Sequence, residues 1–351
     1  MSEVAELPNR FIQIDEEGYV LLGELRTQDP EVGGEVFMEM AFADNGAFIS
    51  RCGGVPVTVE AFDEPYVAAQ VSYEGGKWVL LLPYHVDFEF KLESLSLDEW
   101  DRFHGKASNG IPFVMSRKAQ ATFFGLLEDY DDDSITFGGE TYDIPSYFPS
   151  DRDVNKSDYW TNIYHEEKNP GWNLGEPAEA LKDMLPRLKL PKSRVLVLGC
   201  GEGHDAALFA QAGHVVTGVD FSEEAVTRAR KNYGDIPGLK FVQADAFKLD
   251  PSFQKSFDIV FEHTCYCAID PSRRQELVKV WKSVLHDQGQ LMGVFFTMYK
   301  KQGPPYGGSE WELRQRLKDS FQFVFWGRWQ KSLPKRQGKE LFVYAQKKSL
   351  K

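Results

Sequence analysis

"VLVLGCGEGHDAALFAQAGHVVTGVDFSEEAV", residues 195–226, decides the fold. An apolar run ends in glycines at 199, 201 and 203, and a helix-forming stretch follows from Asp205. A second apolar run ends at Asp220, and another helix starts near Ser222. Strand, glycine turn and helix in that order bring backbone close to a bound ligand. The phosphate-cradling pattern is G-x-G-x-x-G, whereas Gly199, Gly201 and Gly203 give G-x-G-x-G, without the third pyrophosphate glycine.

The same rhythm continues outward. KFVQAD, FDIVFEH and GQLMGVFF read as strands, with helices near Arg273 and through SEWELRQRLKDS. Alternating strands and helices predict an α/β, doubly wound and mostly parallel seven-stranded sheet with right-handed crossovers. FQFVFWGRW and ELFVYAQ are joined without room for a helix, so they are expected to pair antiparallel. Residues 11–92 read differently, as short β-rich segments: YVLLGEL, EVFMEMAF, GAFISRC, VPVTVEAF, YVAAQVSY and KWVLLLPY. Ser96 and Glu99 form a capping box, which predicts a helix through DEWDRFHG with Trp100 and Phe103 in the core. SRKAQATFFGLL predicts a second helix, and DYDDDS a solvated acidic turn. A Pro- and Asp-rich connector places the boundary near residue 150. The expected division is a β-rich α+β domain over 1–150, followed by 151–351.

Composition narrows the classes. The chain of 351 residues is 42% hydrophobic and 26% charged, as in a globular protein. No run approaches the roughly 20 apolar residues of a membrane span, and the acidic N-terminus lacks an apolar signal core, so a cytoplasmic protein is expected. Four cysteines are too few for a disulfide scaffold, and the Cys265–Cys267 pair has no second pair at zinc spacing, so no metal is expected. Residues 1–150 hold 9 Lys/Arg against 28 Asp/Glu, and the remainder holds 31 against 25. Opposite fields suggest intramolecular docking of the acidic half. The late basic run from Lys300 to Lys339 keeps RNA or another nucleic acid open as a rival substrate, although a solvated face explains it equally well.

In a doubly wound sheet the ligand sits beyond the carboxyl ends of the strands. Asp220 stands there, 21 residues after Gly199, where a carboxylate accepts ribose hydroxyls. Asp245 closes the third strand, facing an adenine amino group, with the Ala246 amide beside it. Two acidic strand ends without a pyrophosphate loop favour an adenosyl ligand lacking phosphates, and S-adenosyl-L-methionine fits. The oxidoreductase alternative shares only the glycine turn.

Residues 159–345 resemble the class I S-adenosylmethionine-dependent methyltransferases, and within them the thiopurine and thiol/halide methyltransferase family. The resemblance rests on YWTNIYHEEKNPGWNLGEPA, GCGEGHD, VTGVDFSEEAV, FDIVFEHTCYCAIDPSRR, GPPYGGS and LPKRQGKE, in that order. It implies that Trp160 and Trp172 close over the cofactor, with Tyr164 facing the same region. It also implies that Gly199 and Gly201 approach the methionine moiety, that Asp220 takes the ribose, and that Asp245 and Ala246 border the adenine. His263 and Thr264 would stand beside the sulfonium, and Tyr306 would line the acceptor side. The expected reaction is methyl transfer to a small-molecule thiol, thiopurine or halide, with His263 and Tyr306 as catalytic candidates. His263 reads either as a base for the thiol proton or as a structural histidine. Cys265 and Cys267 read as packing thiols, and EHTCYC departs from the family segment at the acceptor side. The different-class rival is a non-catalytic S-adenosylmethionine-binding scaffold.

Overall fold

A computed structural model of the chain describes residues 8–149 and 153–349. It divides into two compact units: Met1–Pro149 with Ser309–Glu312, and Ser150–Gly308 with Leu313–Lys351. The first unit therefore borrows four residues from far along the chain, which a boundary at 150 alone does not provide. No helix among the described residues is long and apolar enough to cross a membrane.

The second unit holds one seven-stranded sheet. We label its strands β1 (Arg194–Leu198), β2 (Val215–Asp220), β3 (Leu239–Gln243), β4 (Phe257–His263), β5 (Leu285–Phe296), β6 (Phe321–Arg328) and β7 (Glu340–Lys347). Their order is β3-β2-β1-β4-β5-β7-β6. The first five pair parallel, while β7 runs antiparallel to both β5 and β6, as the helix-free connection requires. Strand order reverses between β1 and β4, so their carboxyl ends flank the ligand crevice. Helices α1 (Ser157–Glu166), α2 (Glu179–Leu188), α3 (His204–Gln211), α4 (Glu223–Tyr233), α5 (Arg274–Val284) and α6 (Glu310–Leu317) complete the secondary structure used below. Alternate β1 residues face opposite layers: Val195 and Val197 pack with Phe209 and Phe261, and Leu196 and Leu198 with Val260 and Trp281. Burial on both faces explains the continuous apolar runs in the sequence.

The first unit is built mainly from small sheets, the largest being six-stranded. Two expectations fail here. EVFMEMAF is not one strand, because its first four residues end the helix Pro30–Met38 and only Ala41–Phe42 is a strand. Asp29 caps it by accepting the Glu31 and Val32 amides, Pro30 stands in its first turn, and Gly33 packs where a Cβ would lie 2.4 Å from the Tyr84 ring. The capping box at Ser96 makes no helix either. Ser96–Leu97 is a strand, and the Asp98 carboxylate instead accepts the Trp100 and Arg102 amides in a turn before strand Phe103–Lys106. A side chain that can close a turn on its own backbone competes with the helix. The helix in SRKAQATFFGLL forms as Arg117–Phe124, capped by Ser116.

Candidate active site

All three loop glycines adopt left-handed backbone, with φ of 64° at Gly199, 51° at Gly201 and 88° at Gly203. Their neighbours differ. A Cβ at Gly199 would lie 2.7 Å from both Cβ and Sγ of Cys265, and one at Gly201 would lie 3.2 Å from the Tyr164 hydroxyl. A Cβ at Gly203 would strike the Phe241 ring in the core. Gly203 thus serves helix–sheet packing, whereas Gly199 and Gly201 keep open the loop that lies against Cys265 and Tyr164.

Asp220 closes that loop from β2. Its Oδ2 accepts the Gly201 amide at 2.8 Å and its Oδ1 accepts the Ser222 amide at 2.9 Å. Burial raises this carboxyl above its ordinary range, against the pull of the Ser222, Gly201 and Phe221 amides. A carboxylate has about four lone-pair directions, so two accepted amides leave capacity for a vicinal diol. At the end of β3, Asp245 accepts the Phe247 amide at 2.9 Å and caps the short turn Ala246–Lys248. The Ala244 amide donates to the Asp220 carbonyl, which ties the two acidic strand ends together.

The three aromatic candidates cluster together, with the Tyr164 hydroxyl beside Gly201. Trp172 donates from Nε1 to the Tyr164 hydroxyl at 3.1 Å, and its ring meets those of Tyr164 and Trp160 edge-on, each at 5.7 Å. Tyr164, on α1, is buried, and burial followed by the nearby Asp220 carboxylate pushes its phenol up. Arg228 on α4 braces this group, donating to the Tyr164 and Lys168 carbonyls and pairing with Glu202 and Glu224. His204 is held by Tyr233 and Asn173, and His214 Nδ1 accepts the Ser193 amide, so both histidines are packing residues.

His263 at the end of β4 faces α3. Its Nδ1 lies 2.7 Å from Asp205 Oδ2, and Arg336 Nη1 lies 2.9 Å from its Nε2. Burial works against the imidazolium and Asp205 works for it; Asp205 prevails and raises the pKa. Arg336 acts in the opposite direction. A guanidinium nitrogen only donates, so we assign the neutral Nδ1–H tautomer, with Nε2 accepting from Arg336. Both ring nitrogens are then occupied, and the reading of His263 as a free base has no lone pair to rest on. Asp205 also accepts the Ala178 amide, and Arg336 also donates to Glu340 Oε1 and to the Trp172 carbonyl. One buried chain therefore joins α3, β4, β7 and the Trp172 segment.

Beyond His263 the backbone turns sharply. Thr264 has φ of 61°, and the Thr264–Tyr266 turn places Cys265 against Gly199. The Tyr306 amide donates to the Cys267 carbonyl at 2.7 Å, which brings the buried Tyr306 beside the same turn. Burial pushes the Cys200, Cys265 and Cys267 thiols up, the last to about 12, so they are poor nucleophiles. Sequence reading missed Asp205, Arg336, Glu340 and Glu262. The last three carried signals: the i, i+4 spacing of Arg336 and Glu340 in RQGKE, and a carboxylate inside the apolar run of β4.

Glu262 gives a test of the site's support. Its Oε1 accepts the Tyr266 amide at 2.7 Å, and its buried Oε2 has no hydrogen-bond partner among the described residues. Burial outweighs the amide donors and pushes this carboxyl up to about 7. The folded state therefore prefers the protonated form. The resulting stability is fully present below the unfolded carboxyl value, near pH 4–5, and is lost as pH rises through about 7. Glu262→Gln, neutral throughout, should match the wild type at pH 5 and exceed it by about 1–3 kcal/mol at pH 8 in urea unfolding. Parallel stability–pH profiles for the two proteins would contradict this.

Comparison with known proteins follows the same residues. The family model for thiopurine S-methyltransferase matches residues 155–347, more than half of the chain. Probable thiol methyltransferase 2 of Arabidopsis thaliana is 31% identical over 167 residues, which cover 46% of this chain and 73% of that protein. Thiocyanate methyltransferase 1 of the same plant is 32% identical over 151 residues, covering 42% and 65%. Thiopurine S-methyltransferase of Xanthomonas axonopodis pv. citri (strain 306) is 30% identical over 170 residues, covering 42% and 76%. Residues 1–154 lie outside the family match.

Proposed function

From the premise that this chain belongs to the thiopurine S-methyltransferase family and takes its methyl group from S-adenosylmethionine, we propose that the acceptor is a small molecule with a soft nucleophile. Sulfur in a thiol or thiopurine comes first and halide second. The observation that carries the cofactor reading is the open Gly199–Gly201 loop closed by the Asp220 carboxylate.

When bound, S-adenosylmethionine supplies an electrophilic methyl carbon on a sulfonium. Asp220 would hold the ribose diol, Asp245 and Ala246 would border the adenine, and Gly199 and Gly201 would admit the amino-acid end. Trp160, Tyr164 and Trp172 would close over it and exclude water, and Thr264 would stand beside the sulfonium. Much of the rate in such a displacement comes from positioning, which a rigid loop supplies. His263 acts here as a positioning residue: fixed between Asp205 and Arg336, it holds the Thr264 turn and Tyr306 in place.

A methyl-transfer screen of the full chain tests this, using small thiols, thiopurines, hydrosulfide, iodide and bulk RNA. Methylated sulfur products or methyl iodide are expected. Labelled RNA with silent small molecules would overturn the proposal and turn the basic run into a substrate groove. The first unit, in this reading, tunes acceptor handling and carries no chemistry.

A further inference from the structure

Four residues of the first unit, Ser309–Glu312, follow directly on the Tyr306 segment of the second. Trp311 is held by three contacts within the first unit. Its amide donates to the Phe62 carbonyl at 2.9 Å, Trp100 meets its ring edge-on at 5.1 Å, and the Arg102 guanidinium carbon lies 3.4 Å from the ring centroid. Arg102 is itself pinned, bonding Asp98 at 2.8 Å and pairing with Asp63. Behind it, the buried His104 sits between Asp98 Oδ2 at 3.0 Å and Glu64 Oε1 at 3.1 Å, and the Tyr147 hydroxyl donates to Glu64. Burial opposes charge in this cluster, yet the partners prevail. Asp98 is held down to about 2, mainly by His104 and Arg102, and His104 is raised by Asp98 and Glu64. A planar guanidinium fixed by two carboxylates is a preorganised platform for one aromatic ring.

We propose that Trp311 is a positioning residue for the acceptor side of the site: anchored on Arg102 and Phe62, it restrains the 299–308 segment and with it Tyr306. Within the segment, the Tyr306 amide donates to the Cys267 carbonyl, the Gly307 amide to the Lys300 carbonyl and the Gly308 amide to the Met298 carbonyl, and Arg274 reaches the Tyr306 carbonyl at 3.5 Å. Only four residues lie between Tyr306 and Trp311, so fixing the latter removes much of the conformational freedom of the former. The ionic cluster in the first unit then has a consequence for catalysis although it touches no reacting atom. The role assigned to Tyr306 rests on the acceptor reading above; the restraint on the segment does not.

The test is amide hydrogen exchange on the full chain, with acceptor kinetics alongside. Trp311→Leu keeps apolar bulk but gives Arg102 no aromatic face. It should speed exchange across 299–308 by about tenfold or more while β1 and β2 stay protected. Trp311→Phe should restore most of the protection. Acceptor KM should rise several-fold in Trp311→Leu, while affinity for S-adenosylhomocysteine stays within about twofold. Arg102→Lys, which keeps charge without the planar face, should show the same pattern and decides the matter if Trp311→Leu does not melt cooperatively. Unchanged exchange in 299–308 in a folded variant overturns the proposal, whichever acceptor the enzyme uses. An acceptor screen that finds only RNA would overturn the acceptor reading and leave this exchange result standing.

Discussion

Gly199→Ala is expected to reduce methyl transfer by about 100-fold or more, because displacements of about 1 Å at a reacting centre cost that much. Two effects add. Left-handed backbone at φ of 64° costs a residue with a Cβ about 1–2 kcal/mol. The new methyl would also lie 2.7 Å from Cβ and Sγ of Cys265, on the turn that carries Thr264, so one wall of the crevice must move. Gly213→Ala is the control, since Gly213 has φ of 92° but nothing within 4 Å of the added methyl. It should lose stability without losing cofactor affinity. Single-turnover methyl transfer and cofactor titration on both variants separate strain from blockage. Equal behaviour of the two would remove the special role assigned to the Gly199–Cys265 contact.

Arg336→Met should cost about 3–5 kcal/mol of stability, the scale for breaking a buried ion pair by removing one partner. The loss leaves Glu340 buried at 4% exposure without its partner at 3.2 Å, and frees His263 Nε2 and the Trp172 carbonyl. It should also change His263. Burial and Arg336 hold that imidazole's pKa down while Asp205 and Glu340 hold it up, so removing the arginine leaves burial alone against the two carboxylates. The His263 titration should therefore move to higher pH in the variant, as read by ring-proton NMR. Because a raised histidine stabilises the fold only while protonated, the variant should recover part of its loss as pH falls through that value. A small stability change with an unmoved His263 titration would mean that the Asp205–His263–Arg336–Glu340 chain does not act as a unit.

The second unit was largely legible in its sequence because its strands are buried on both faces and its turns carry unambiguous chemistry. Apolar runs, the left-handed glycines and the Ser222 cap each admit one local structure, and the antiparallel last pair follows from loop length alone. The first unit was less legible. EVFMEMAF alternates like a strand but is captured by the Asp29–Pro30 helix start, and the Asp98 carboxylate closes a turn where Ser96 and Glu99 promise a cap. At the site, the residues on the glycine loop and strand ends could be named from local pattern. Asp205, Arg336 and Trp311 could not be assigned their roles, because each acts through a partner more than fifty residues away in sequence. A histidine after a strand looks the same whether its nitrogens are free or clamped.

Calorimetric titration of the full chain with S-adenosylmethionine and S-adenosylhomocysteine, beside Asp220→Ala, tests the cofactor site most directly. Saturable binding of both is expected, weakened in Asp220→Ala by about 1.5–3 kcal/mol, or roughly 10- to 150-fold, as for hydrogen bonds to a charged group. Tight NAD binding with no response to either sulfur ligand, or equal affinity in wild type and Asp220→Ala, would contradict it.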